Sequence, residues 1–314
     1  MSAAPQALAR LLLRAGGAAP ALERVFPRPA PLAIEIGFGS GEALAWWAAR
    51  RPEWNFLGFE LAQESVARAA AALDTASLGD RVRLLHGDAR HLLREIVPPG
   101  VAVRVLMQFP MPWPKARHAK HRLTDAGFLD AVASALAPQG RFELVTDQDR
   151  FAREMLDALT RHPALVAGPL EPDPPRTFRT RYERRWIAEG RRIWRLAAVP
   201  SRPAALAPLA NPAAMDHLHL VAPLTADALR ALAGRRFGSA ESVREIQEVF
   251  AAADGWLLRV LTADAGFAQR FFLRIELRDG GAAPLLRVDA CARPFQTPAV
   301  SALLADVRDA LAPR

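Results

Sequence analysis

An apolar run at residues 32–38, LAIEIGF, places glycines at alternate positions, Gly37, Gly39 and Gly41, and gives way to a helical pattern at Glu42. The run is short enough to be a buried strand. Strand, glycine turn and helix in that order bring backbone close to a nucleotide in an open α/β sheet. Few other folds accommodate such a turn, so the chain is read as α/β from this point outward.

Two carboxylates refine the reading. Glu42 stands where a dinucleotide fingerprint has its third glycine, and a negative charge there repels a pyrophosphate. Glu35 lies inside the strand, where a buried carboxylate requires a cationic or hydrogen-bonding partner. The methionyl part of S-adenosylmethionine carries an amine and a sulfonium and no phosphate, so E-x-G-x-G-x-G-E favours that cofactor over NAD. Further strands are expected at 55–59, 82–85, 101–107 and 141–145, with helices at 42–50, 61–78, 91–96, 126–136 and 151–160. Several acids fall at strand ends, the rim where open α/β sheets bind ligands. Glu60 either reaches ribose hydroxyls or caps a helix. Asp88 either accepts from an adenine amino group or caps the helix after it. Asp147 has the same two readings.

Residues 109–122, FPMPWPKARHAKHR, follow the fourth apolar run. Pro110, Pro112 and Pro114 forbid helix and central strand, so the chain leaves the sheet as a stiff loop. Trp113 offers a flat face, and Lys115, Arg117, His118, Lys120, His121 and Arg122 follow it. The chain's two lysines both fall here. A second basic segment at 176–195 holds eight arginines against Glu183 and Glu189, interleaved with Tyr182 and Trp186. Arginine between aromatics suits RNA, which offers phosphates together with bases that stack. Residues 1–199 carry +7 of the formal +8 charge, so a polyanion site belongs to the first part of the chain.

One cysteine, Cys291, allows no internal disulfide, and no apolar run reaches the roughly 18 residues of a membrane span. Residues 1–30 are Ala/Pro-rich with an apolar stretch too short for a secretion signal, and are expected to form a loose arm or a short surface helix. The expected location is the cytoplasm.

These motifs together resemble the bacterial tRNA (guanine-N7)-methyltransferase family. The matching pieces are EIGFGSGE at 35–42, FLGFE at 56–60, GDA at 87–89, F-P-x-P-W-P-K at 109–115 with the basic ribbon after it, Thr146-Asp147, and T-R-Y-E at 180–183. They occur in family order over about residues 30–197. The resemblance implies a doubly wound Rossmann-like (class I) methyltransferase sheet acting on a guanine of the tRNA variable loop. It implies that Glu35, Gly37, Gly39, Glu60, Asp88 and Met111 surround S-adenosylmethionine. Lys115, Asp147, Thr180, Arg181, Tyr182 and Glu183 would serve the RNA, with Asp147 and Glu183 as acceptors around the base. The family has Asp where this sequence has Met111, a glycine where it has Trp186, and Gly-His where it has Gly190-Arg191. The alternative, a tRNA-binding protein or partner subunit that lost catalysis with Met111, follows from the first of these. A dehydrogenase is disfavoured by Glu42.

The expected domains are an arm at 1–30, the methyltransferase domain at 31–197, a linker at 198–214, and a smaller α+β unit at 215–314 that matches no part of the family core. In that last unit His217 and His219 share a strand face without a third ligand, so no metal is expected. The sequence leaves monomer and homodimer both open.

Overall fold

The computed structural model describes residues 3–13, 16, 22–111, 123–211, 217–221, 223–278, 283–291 and 293–312. The chain divides into two compact units, Met1–Arg14 with Pro20–Ala207, and Ala15–Ala19 with Pro208–Arg314.

In the first unit, α1 (Ala3–Leu11) and α2 (Leu22–Val25) precede β1 (Leu32–Ile36), α3 (Glu42–Arg50), β2 (Asn55–Glu60), α4 (Gln63–Thr75), β3 (Val82–His86), α5 (Ala89–Ile96) and β4 (Ala102–Gln108). After residues 112–122 come α6 (Ala126–Ala135), β5 (Leu136–Thr146), α7 (Asp149–Arg161), β6 (Leu165–Ala167), β7 (Glu171–Pro172), α8 (Arg181–Ala188) and β8 (Trp194–Pro200). The sheet runs β3-β2-β1-β4-β5-β8-β6, with β7 also on β8. The pairs from β3 to β5 are parallel and those of β8 antiparallel. Every residue of β1 is buried, as a central parallel strand requires. Chain order reverses between β1 and β4, and ligands of open α/β sheets bind beside such a reversal.

Four local expectations are corrected. The N-terminal arm is docked: Leu11 is fully buried against α4 residues such as Ala69 and Leu73, and Leu13 N–H donates to Leu84 O at 2.8 Å along the outer strand. Residues 198–200, assigned to a linker, form the end of β8. The first strand stops at Ile36, because Gly37 already turns at φ 71°. Gly140 is no turn but part of β5, where a side chain would meet Ala102 O at 2.5 Å.

The second unit contains β9 (His217–His219), α9 (Ala226–Arg230), β10 (Arg236–Gly238), β11 (Ser242–Ala252), β12 (Gly255–Asp264), β13 (Phe267–Arg278), β14 (Ala283–Val288) and α10 (Pro298–Leu311). Its sheet is antiparallel throughout, in the order β10-β11-β12-β13-β14-β9. Alternate strand residues such as Leu258, Val260, Leu273 and Ile275 meet Val300, Leu303, Leu304 and Val307 of α10 in one core. His217 and His219 are both exposed on β9. Among the described residues no group of three or more His, Cys, Asp or Glu could hold a metal.

Candidate functional site

A cavity of about 440 Å³ opens at the carboxyl ends of β1, β2 and β3. Its floor is the glycine turn. Gly37 and Gly39 have φ of 71° and 55°, a region that disfavours other residues, and no atom lies within 4 Å of where a Cβ would stand on either. Gly41 serves packing instead, since a Cβ there would lie 2.8 Å from that of Ala69.

Glu60, the last residue of β2, lines the cavity and organises its backbone. Oε2 accepts from Gly39 N–H at 2.9 Å, and Oε1 from Leu61 and Ala62 N–H at 2.8 and 2.9 Å. Asp88 lines the next part and caps α5, accepting from Arg90 N–H at 3.0 Å. Burial opposes its charge, but the bonds and charge of Arg90 prevail and hold its carboxyl below the ordinary range. Phe109, Pro110, Met111 and Leu123 close the far side, with Met111 67% exposed.

Glu35 does not line this cavity. It is buried beneath the turn, 3% exposed, at one end of a polar relay through the sheet. Gln108 Nε2 donates to Glu35 Oε1 at 3.4 Å, and Arg176 Nη2 donates to Gln108 Oε1. Arg176 has no acceptor, so it fixes which way the amide faces and turns the amide N–H toward Glu35. Arg176 Nε in turn lies 2.9 Å from Glu183 Oε1. Burial pushes the Glu35 carboxyl up to about 8, against the Gln108 bond and the Arg176 charge. The same desolvation raises Glu183 despite Arg176 and Arg179.

Glu183 belongs to α8, whose start is a reciprocal cap. Thr180 Oγ1 accepts from Glu183 N–H at 3.2 Å, and the Glu183 carboxylate accepts from Thr180 N–H. The helix is held to α3 by Glu42, which accepts from Arg181 N–H at 3.0 Å and from Arg184 at 3.3 Å. An aromatic row connects it to the cavity: Tyr182 stacks on Trp186 at 5.9 Å between centroids, and Trp186 meets Phe109 at 4.9 Å. Tyr182 is 48% exposed and carries the Arg181 guanidinium 4.9 Å from its ring centroid. Asp147, at the end of β5, accepts from Arg191 at 2.9 Å and from Gln148 at 2.6 Å.

The structure thus brings Gly37, Gly39, Glu60, Asp88 and Met111 to one cavity. Thr180, Arg181, Tyr182 and Glu183 lie on one helical turn, while Asp147 sits apart on Arg191. Lys115 and the rest of 112–122 lie outside the described residues. Sequence reasoning missed Gln108, Arg176 and Arg90, and gave Glu42 only a repulsive role. The T-x-x-E spacing of a capping box was legible at 180–183. Nothing in the spacing signalled that Gln108 and Arg176 meet across the sheet.

Residues 29–196 match a protein family described as "Putative methyltransferase". A tRNA (guanine-N(7)-)-methyltransferase of Thermotoga maritima is 34% identical over 278 residues, 88% of this chain and 88% of the relative. That span is too long to lie within residues 1–207, so the likeness continues into the second unit. A tRNA (guanine-N(7)-)-methyltransferase of Alkalilimnicola ehrlichii is 40% identical over 179 residues, 56% of this chain and 75% of the relative. Among solved structures, TrmN from Thermus thermophilus aligns with a TM-score of 0.42 at 21% identity, over 57% of this chain and 47% of its own.

Proposed function

Because this chain belongs to the tRNA (guanine-N7)-methyltransferase family, we infer that it methylates N7 of a guanine in tRNA, using S-adenosylmethionine as donor. The observation that carries the assignment to this chain's own residues is the glycine-floored cavity with Glu60 tied to Gly39. Its volume of about 440 Å³ falls in the range of small-molecule sites. The open space over Gly37 and Gly39 suits a ligand pressed against backbone, and the buried Glu35 beneath suits a cationic one. The residues present therefore fit the donor. Gly37 and Gly39 would border its methionyl part, Glu60 its ribose, Asp88 its adenine, and Met111 the rim.

When bound, the donor supplies an electrophilic methyl group on a sulfonium. Guanine N7 has a free lone pair at neutral pH, so no side chain need remove a proton. The protein's contribution is alignment, together with acceptors that stabilise the positive charge developing on the purine. In this reading Tyr182, on its row of rings, presents a face to the guanine, and Arg181 and Lys115 meet phosphates. Glu183 is 1% exposed and bound to Arg176 and Thr180, so it acts by holding α8 and Arg176 in place. Asp147 is held by Arg191 and becomes an acceptor for the base when that pair opens.

The target guanine is that of the variable loop. Among the described residues no helix is long and apolar enough to cross a membrane. A tRNA substrate places the protein in the cytoplasm. Titration calorimetry with S-adenosylhomocysteine, with NAD in a parallel run, tests the cofactor assignment. Binding of NAD alone would end it.

A further inference from the structure

A second cavity, of about 200 Å³, shares no lining residue with the first. Its floor is the sheet itself, where β4, β5 and β8 place Arg104, Arg141, Glu143 and Arg195 on one face. That face of a parallel sheet is ordinarily apolar and covered. Here Trp47 of α3 and the strand-like segment 175–178 wall a charged hollow. Arg104 and Arg141 are direct neighbours in register on adjacent strands, an arrangement that like charges disfavour.

The cations outnumber the acids that could neutralise them within the cavity. Glu143 is the one carboxylate in the lining, 3.7 Å from Arg104. Arg176 and Arg195 pair with Glu183 and Glu171, neither of which faces the cavity. Arg141 is exposed and makes no hydrogen bond or ion pair among the described residues. Burial lowers the Arg104 guanidinium's pKa; Glu143 opposes this, and the charges of Arg141, Arg51 and Arg195 add to the lowering. Guanidinium forks converging on one hollow match the oxygens of a phosphate.

We propose that this cavity, through Arg104 and Arg141 with Arg195 beside them, is a phosphate-binding site that grips the RNA backbone at a second point outside the methyl-transfer cavity. The proposal rests on tRNA being the substrate. The wall at 175–178 leads within two residues into the Thr180 cap of α8. A phosphate seated here therefore anchors the RNA beside the helix that presents Tyr182.

Arg141 is the residue to change, because it is exposed and unpaired and its loss leaves no buried partner. Fluorescence anisotropy of labelled tRNA is measured over a salt series for the wild type, Arg141→Gln and Arg141→Glu. Calorimetry with S-adenosylhomocysteine and a methyl-transfer assay run alongside. Arg141→Glu should weaken tRNA binding about tenfold, the scale of one charge-assisted hydrogen bond. The Arg141→Gln slope of log affinity against log salt should be shallower by about one unit, as for one lost phosphate contact. S-adenosylhomocysteine affinity and the rate at saturating tRNA should be unchanged. Wild-type affinity and slope in both variants would overturn the proposal. So would inorganic phosphate or AMP binding that is lost in the variants while tRNA binding is not, since the ligand would then be a free phosphate. Altered tRNA binding with no methyl transfer by the wild type would sustain the phosphate site and sink the enzymatic reading.

Discussion

Arg176 Nε stands 2.9 Å from Glu183 Oε1, the two side chains 10% and 1% exposed. The residue that follows the proline-rich bend thereby fixes the helix bearing the T-R-Y-E motif. Through Gln108 the same guanidinium reaches Glu35 beneath the glycine turn. The cofactor-side and RNA-side motifs are thus joined by one buried polar chain, and a change at either end is felt at the other.

Removing Arg176 leaves Glu183 buried without its cation. Arg176→Ala should cost about 3–5 kcal/mol of stability, the range for stripping one partner from a buried pair. Glu183→Gln, which leaves no uncompensated charge, should cost less. Urea unfolding followed by tryptophan fluorescence reads this, because six of the seven tryptophans lie in the first unit. Equal losses in the two variants would mean the pair is not the source.

Glu35 gives the fold a pH dependence. Its native pKa of about 8 lies above the ordinary 4.5, so the folded state keeps a proton that the unfolded state releases. The resulting stability is fully present below about 4.5 and is lost as pH rises through about 8. Glu35→Gln keeps an acceptor for Gln108 and removes the titration. The variant should gain on the wild type as pH rises across that window, by the same urea measurement. Parallel pH profiles would contradict the assignment.

Much of this was readable beforehand, and the reasons for the rest are physical. The strand, glycine turn and helix at 32–50 followed from local geometry alone, as did Glu60 at the end of β2. Strand β8 was obscured because Ala197–Pro200 carries the composition of a linker, and only its pairing between β5 and β6 makes it a strand. Gly140 looked like a turn, but it is a glycine because β4 passes close to it. The relay was invisible because its members lie as many as 73 positions apart and no periodicity links them.

Glu60 both organises the glycine turn and faces the cavity. Glu60→Ala should weaken S-adenosylhomocysteine binding by roughly 1.5–3 kcal/mol, the scale of hydrogen bonds to a charged group. It should also speed amide exchange at Gly39, whose N–H loses its acceptor. Unchanged affinity by calorimetry would remove Glu60 from the donor site.

Met111 stands at the cavity rim where the family it resembles carries an acid. Met111→Asp places a carboxylate near the developing positive charge, and should raise kcat roughly ten- to a thousandfold with little change in stability, the residue being 67% exposed. Steady-state kinetics with tRNA checks this. An unchanged rate would mean that this position carries no catalytic weight here.

The central claim is that this chain methylates guanine N7 in tRNA, and incubation with methyl-labelled S-adenosylmethionine and unmodified tRNA tests it most directly. After digestion to nucleosides the label should appear in 7-methylguanosine, and mapping should place it in the variable loop. Label in another nucleoside, or tRNA that stays unlabelled while S-adenosylhomocysteine binds normally, would contradict the account.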